Sequence, residues 1–324
     1  MELIRVNQLT KKFDELIAVD HISFSIEEGE IFGFLGPNGA GKTTTLSILS
    51  TLLSPTSGEA YVNGFNVKSN QNEVRRSIGV VFQDPTLDEE LTARENMLIH
   101  GRLYGMKKPG NKVNELLELV ELGQWKNKLV KYFSGGMKQR LEIARGLLHE
   151  PKILFLDEPT LGLDPQTRNH LWDYIKKMNT EKNVTIILTT HYMDEADKLS
   201  DRVAIIDHGK IVAMNTPGNL KELIGGSILR IETQSGSEVG KLLAEQEWIE
   251  KTVQHDGFVD ISVQNAEKHI AEVMKILKDI PIDSVSVRIP SLEEVFLNYT
   301  GRTIREEEAS SKDRMRQHNR AMRR

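Results

Sequence analysis

Gly36-Pro37-Asn38-Gly39-Ala40-Gly41-Lys42-Thr43-Thr44 gathers three glycines, a lysine and two threonine hydroxyls into one short stretch. It follows the apolar run Ile31–Leu35 and leads into a segment, 42–53, that reads as a helix. Strand, glycine-rich loop and helix form the setting in which a backbone wraps around phosphate. The glycines permit close approach of N–H groups to phosphate oxygens. The helix start adds unpaired N–H groups and the positive end of its dipole. Lys42 suits the β- and γ-phosphates, and the Thr43 hydroxyl suits Mg²⁺. The loop implies a nucleotide, without saying what the nucleotide is for.

Two further stretches carry chemistry. Ile153-Leu154-Phe155-Leu156-Asp157-Glu158 is an apolar run ending in two carboxylates. In a parallel sheet such a strand delivers its acids to the edge where ligands bind. Asp157 is placed to hold Mg²⁺ and Glu158 to polarise an attacking water. Phe133-Ser134-Gly135-Gly136-Met137-Lys138-Gln139-Arg140 precedes a helical stretch, so Ser134 and the glycines can form a second phosphate-binding nest. Taken alone, that serine could equally be a helix cap.

The elements that must position these residues alternate. Half-buried strands are expected at 2–8 and 19–26 around a turn at Asp14-Glu15, with a short strand at 59–62 and a buried one at 78–82. From about 88 to 150 the spacing turns helical, with Leu116, Leu117, Val120 and Leu122, then Leu141, Ala144, Leu147 and Leu148, at three- to four-residue intervals. Strands return at 152–156, 183–189, 202–207 and 210–214, with a helix near 165–179. The fold class is α/β, with a mostly parallel sheet covered on both faces and a helical insert. A boundary is expected near Gly225-Gly226, giving domains 1–225 and 226–300. The second reads βαββαβ, a small ferredoxin-like α+β unit with an Asp256-Gly257 hairpin and a final helix 291–299 whose apolar face is Leu292, Val295, Phe296 and Tyr299. Residues 301–324 read as a charged, disordered tail.

Across 324 residues the chain carries a net charge of −5, which gives no general reason to expect nucleic acid as a partner. It has no cysteine, so disulfides and thiolate-bound metals are excluded. No apolar run is long enough to span a bilayer, and the start shows no signal-peptide pattern. Any membrane role is therefore expected to pass through a partner.

With these residues in place, the chain closely resembles the ABC-type ATPases. Gly36–Thr43 is similar to their Walker A, Ser134–Gln139 to the signature, and Leu154–Glu158 to Walker B. Gln83 resembles the Q-loop residue, Leu161-Gly162-Leu163-Asp164 the D-loop, and His191, after Leu188-Thr189-Thr190, the switch histidine. Met137 departs from the commonest signature, which has Gln there.

The resemblance implies roles. ATP and Mg²⁺ are the expected cofactors, bound by Gly36, Pro37, Asn38, Gly39, Ala40, Gly41, Lys42, Thr43 and Thr44, with Phe13 stacked on adenine. Thr43, Asp157 and Gln83 are expected at the metal, and Glu158, His191, Gln83 and Lys42 at the reacting phosphate. Ser134, Gly135 and Gly136 would meet the γ-phosphate held by a second copy in a head-to-tail dimer, with Asp164 ordering that interface. The ending Ser291-Leu292-Glu293-Glu294-Val295-Phe296-Leu297 with Tyr299-Thr300-Gly301 resembles the daunorubicin-resistance, ABC-2 type exporters. That implies a separate membrane permease and a place at the cytoplasmic face of the membrane. An importer ATPase with a regulatory C-terminal domain, or a soluble non-transport ATPase, are the alternatives.

Overall fold

The computed structural model describes residues 1–224, 227–243, 246, 248–263, 266–288 and 290–301. Gly225-Gly226 and the tail beyond Gly301, named above as a boundary and a disordered end, lie outside these residues. The chain divides into two compact units, one from Met1 to Met214 and one that begins at Asn215.

The first unit opens with β1 (Glu2–Phe13), β2 (Leu16–Glu27), β3 (Ile31–Leu35), α1 (Lys42–Leu49), β4 (Ser57–Val62), β5 (Phe65–Asn66), α2 (Gln71–Ser77) and β6 (Ile78–Val81). The helical insert follows as α3 (Ala93–Leu103), α4 (Gly110–Leu119) and α5 (Gly135–Gly146). The chain then returns to the sheet through β7 (Ile153–Asp157), α6 (Pro165–Lys182), β8 (Thr185–Thr190), α7 (Met193–Leu199), β9 (Arg202–Asp207) and β10 (Lys210–Asn215).

Two sheets result. The first has the order β2-β1-β4-β5 and is antiparallel. The second has the order β10-β9-β3-β8-β7-β6, with parallel pairing from β9 through to β6. Every residue of β3, β7 and β8 is buried, as expected for strands covered on both faces. Strand alternation sorts their side chains between two cores. Phe32, Phe155 and Ile187 align across β3, β8 and β7 and join the core shared with β1, β2 and α1. Leu154, Leu156, Ile186 and Leu188 face the other way, into the core built with the helical insert. The eight residues picked out by helical spacing in that insert are all buried there.

The parallel register has a direct consequence for chemistry. The loops after β3, β6, β7 and β8 all leave from one edge of the sheet, and they carry Lys42, Gln83, Glu158 and His191.

Several local features differ from the pattern reading. α1 stops at Leu49 rather than 53, because Thr51 adopts left-handed backbone at φ 65° and the Leu52 N–H turns back to the Ser47 carbonyl oxygen at 2.8 Å. α2 and α7 carry no clear apolar stripe: α2 buries just one apolar side chain, Val74, and α7 places a carboxylate, Glu195, in the core. α6 runs on to Lys182 and is closed by Asn183 at φ 51°.

The second unit contains α8 (Pro217–Glu222), β11 (Ser227–Glu232), α9 (Gly236–Leu243), β12 (Ile249–Gln254), β13 (Phe258–Val263), α10 (Ala266–Ile276), β14 (Ser284–Arg288) and α11 (Leu292–Thr300). Its sheet order, β12-β13-β11-β14, is antiparallel throughout, which is the ferredoxin-like arrangement of a βαββαβ chain. Leu229, Ile231, Val259 and Ile261 point to the helix side with Val239, Leu243 and Val273. α11 opens with a Ser291–Glu294 capping box and buries Leu292, Val295 and Phe296, while Tyr299, in its last turn, stays exposed.

β6 and α5 touch backbone to backbone. A Cβ on Gly79 would lie 2.2 Å from the carbonyl oxygen of Gly146. Gly79→Ala should therefore lower stability by about 1–3 kcal/mol through forced separation of strand and helix. Thermal melting checks this, and an unchanged midpoint would contradict the close packing.

Candidate functional site

The phosphate loop is shaped by what surrounds it. Gly39 and Gly41 sit at φ 85° and 106°, and a Cβ on Gly41 would lie 2.4 Å from the Ala18 carbonyl oxygen. That contact brings β2 against the loop. Phe13, which pairs with Leu16 at the tip of the same hairpin, stands 42% exposed with Lys11 Nζ 4.9 Å from its ring centre. Gly36 has no room for a side chain either, because its Cβ would lie 2.2 Å from the Ile206 carbonyl oxygen of β9.

Lys42 is the first residue of α1 and is 4% exposed. Its Nζ donates to the carbonyl oxygens of Gly36 at 2.7 Å and Pro37 at 3.0 Å, and lies 3.4 Å from Glu158 Oε1. His191 Nδ1 is 3.1 Å from the other carboxylate oxygen of Glu158. Burial acts to raise the Glu158 pKa, but the His191 hydrogen bond and the Lys42 charge outweigh it and hold the carboxyl below its usual range. Glu158 also has left-handed backbone, φ 48°, anchored where its N–H meets the Thr189 side-chain oxygen at 3.0 Å and its carbonyl oxygen at 3.1 Å. Strain of this kind, at a residue other than glycine, concentrates at functional sites.

Asp157 is the last residue of β7. Its Oδ1 accepts from Thr43 Oγ1 at 3.0 Å and from Thr189 Oγ1 at 2.5 Å. Magnesium takes hard oxygen ligands, usually one or two from protein with the rest from phosphate and water. The Thr43–Asp157 pair fits that chemistry.

The remaining sequence-selected residues are arranged differently. Gln83 lies in the exposed bend after β6, with no hydrogen bond to Thr43 or Asp157. Ser134 caps α5, its Oγ accepting from the Met137 N–H at 3.3 Å. Gly136 abuts α6 so closely that a Cβ would lie 2.3 Å from Thr167 Cγ2. Ser134 and Gly136 line a cavity of about 200 Å³ together with Arg140, Thr167 and His170. Asp164 caps α6 by accepting from the Thr167 N–H at 3.0 Å and its hydroxyl at 2.6 Å, which holds its carboxyl below the usual range. Two buried participants were not visible as motifs: Thr189, which braces both acids, and Glu195, which hydrogen-bonds Trp172. Thr189 lay inside an apolar strand pattern, and only its position beside β7 gives it a role.

A lysine under a glycine loop, a threonine–aspartate pair and a glutamate–histidine pair thus converge at one sheet edge. A model described as ABC transporter matches residues 19–161, and one described as the C-terminal domain of DrrA1-3-like ATP-binding proteins matches residues 216–300. The daunorubicin/doxorubicin resistance ATP-binding protein DrrA of Streptomyces peucetius is 38% identical over 307 residues, covering 92% of each chain.

The chain belongs to the ABC transporter ATP-binding family.

Within that family, the linearmycin resistance ATP-binding protein LnrL of Bacillus subtilis is 37% identical, over 94% of this chain and 100% of that one. A solved ATP-binding cassette, a dimer in a post-hydrolysis state with ADP and Pi, is 30% identical with a TM-score of 0.59, covering 66% of this chain and 98% of that one. As a family member the chain is a nucleotide-binding ATPase with the cassette fold. Among the described residues, no helix is long and apolar enough to cross a membrane.

The loop geometry makes a direct demand on nucleotide affinity. Gly41→Ala puts a methyl group against the Ala18 carbonyl at a backbone angle that alanine rarely adopts. ATP affinity should fall by at least about 10-fold, since the loop N–H groups expected to cradle phosphate lose their aim. Equilibrium binding of a fluorescent ATP analogue measures this, and wild-type affinity would refute the geometric argument.

Proposed function

We propose that this chain is the ATPase subunit of an exporter, driving a drug-like or lipophilic substrate through a separate membrane permease. The observation that carries the mechanism is the buried Lys42–Glu158–His191 cluster at the sheet edge. Glu158, ionised and held by His191, orients and polarises water for in-line attack on the γ-phosphate. Lys42 supports the charge that develops on the phosphoryl oxygens. Mg²⁺, when bound by Thr43 and Asp157 with Gln83 nearby, supplies charge neutralisation on the phosphate oxygens. Phe13 stacks on adenine, and the loop Gly36–Thr44 holds the phosphates. Ser134, Gly135 and Gly136 of the partner subunit complete the γ-phosphate site in a head-to-tail dimer, with Asp164 at the interface. The exposed positions of Ser134's helix start and the Asp164 turn support that reading. The named relatives, resistance proteins for daunorubicin, doxorubicin and linearmycin, support export.

A groove of about 230 Å³, where Leu52, Phe82, Tyr104 and His149 meet between β6 and the helical insert, supports a permease contact at this surface. Leu52, Phe82 and Tyr104 are exposed there. Burial, helped by the charges of Arg145 and His149, pulls the His100 pKa down to about 4, so this side chain is neutral at physiological pH. An apolar helical segment of the permease, at the cytoplasmic face of the membrane, fits such a surface.

Glu158→Gln keeps the shape of the site and removes the base. It should bind ATP normally, lose at least about 100-fold in steady-state hydrolysis, and accumulate an ATP-bound dimer on size exclusion. Normal turnover would sink the mechanism. Leu52→Glu should leave ATP affinity unchanged and reduce co-purification with the permease by at least about 10-fold. Undiminished co-purification would remove the groove from the interface.

A further inference from the structure

α7 begins two residues after His191, and its third residue is a carboxylate sealed from solvent. Glu195 is 0% exposed, although the rest of this helix's inner face is Ala196 and Leu199. Burying a carboxyl group is costly unless its oxygens find partners. Oε1 of Glu195 accepts a 3.0 Å hydrogen bond from Trp172 Nε1 on α6. Among the described residues Oε2 has no hydrogen-bond partner, and neither has the hydroxyl of Thr160, which is equally buried. Burial pushes the carboxyl above its usual range, against the pull of the neighbouring Thr190 and Thr160 hydroxyls, the Trp172 N–H and the Arg168 charge.

Three segments meet at this group. Thr160 lies in the turn between Glu158 and Asp164, where its carbonyl oxygen accepts from the Leu163 N–H at 3.2 Å. Thr190 is the residue before His191, and its carbonyl oxygen accepts from the Gly36 N–H at 3.3 Å, at the entrance of the phosphate loop. Trp172 belongs to the helix capped by Asp164. Arg168, on that same helix, packs 4.0 Å over the ring of Tyr192, which in turn lies 4.1 Å from the ring of His191.

The geometry points to Glu195 as a positioning residue for hydrolysis: its buried carboxyl, held by Trp172 and flanked by the Thr160 and Thr190 hydroxyls, locks the turn after Glu158 to the segment that carries His191. The Glu158–His191 contact then keeps its alignment while the Asp164 turn moves during closure. This rests on the roles given above to Glu158 and His191. In the protonated acid, Oε1 still accepts from Trp172 while the Oε2 hydroxyl can donate to a threonine oxygen. Glutamine keeps an acceptor for Trp172 and a donor toward the threonine hydroxyls; alanine keeps neither.

The test uses the full chain, with MgATP turnover per folded molecule, ATP affinity and thermal melting measured together. Glu195→Gln should stay within about 3-fold of wild-type kcat, whereas Glu195→Ala should fall by about 10- to 100-fold with ATP affinity unchanged, as expected for misalignment of a reacting pair. Trp172→Phe, which keeps the ring packing and deletes the donor, should lose about 3- to 10-fold in kcat, again without a change in affinity. Folded Glu195→Ala with normal kcat overturns the proposal, as does Glu195→Gln as impaired as Glu195→Ala. If Glu195→Ala does not fold, Trp172→Phe decides, and an unchanged kcat in that variant overturns it. Glu158→Gln run in parallel separates the two levels: active Glu158→Gln removes the hydrolytic mechanism, while inactive Glu158→Gln beside fully active Glu195→Ala removes just the role of Glu195.

Discussion

A buried ammonium facing a buried carboxylate is the constraint on which this structure turns. Lys42 and Glu158 stand 3.4 Å apart with almost no solvent contact. Removing two such charges from water costs several kcal/mol per ion, and their mutual attraction offsets it only when further hydrogen bonds complete the shell. Here the Gly36 and Pro37 carbonyls complete the shell of the ammonium and His191 that of the carboxylate. The arrangement is therefore a preorganised electrostatic site. On the proposed mechanism its groups are already desolvated and aimed, which would leave little reorganisation for the moment of reaction. The left-handed backbone of Glu158 belongs to the same logic, because Thr189 on the next strand holds it through two contacts.

That charge cluster exists because of strand order. β3, β7 and β8 are neighbours and run parallel, so the residues that follow them emerge side by side. The large apolar side chains beneath, Phe32 and Phe155 on one face and Leu154 and Leu188 on the other, resist any sliding of one strand past the next. A register slip by one residue would exchange the two faces and bury each core residue on the wrong side. Packing and chemistry are thus fixed by the same pairing. The antiparallel hairpin β1–β2 adds the remaining wall, with the Ala18 carbonyl pressed against Gly41.

The second unit carries its own core and its own sheet. Its open face holds a paired charge, with Arg230 bound to both carboxylate oxygens of Asp260 at 2.8 Å across adjacent strands and stacked 4.0 Å over Phe258. Such bidentate pairing adds directional specificity to a sheet face without apolar burial. The match of residues 216–300 to the DrrA1-3-like C-terminal domain begins close to Asn215, where the compact unit begins.

Much of the candidate site's make-up was legible in the residues themselves. Glycine spacing, a lysine at a helix start and paired acids after an apolar run are local patterns, because phosphate binding uses backbone groups of one short segment. The parallel β/α order and the apolar stripes of the helical insert were legible for the same reason, since periodicity is a property of neighbouring residues. Gln83 and Asp164 mark the limit: the first stands in an exposed bend and the second caps α6, details that depend on where other elements lie. α7 was hidden because a carboxylate fills one of its core positions, and Glu195 was hidden with it. Sequence alone determined which groups could bind phosphate and in what order along the chain. Tertiary structure decided which of them meet, because Lys42, Glu158, Thr189 and His191 come together through strand pairing between segments far apart in the chain.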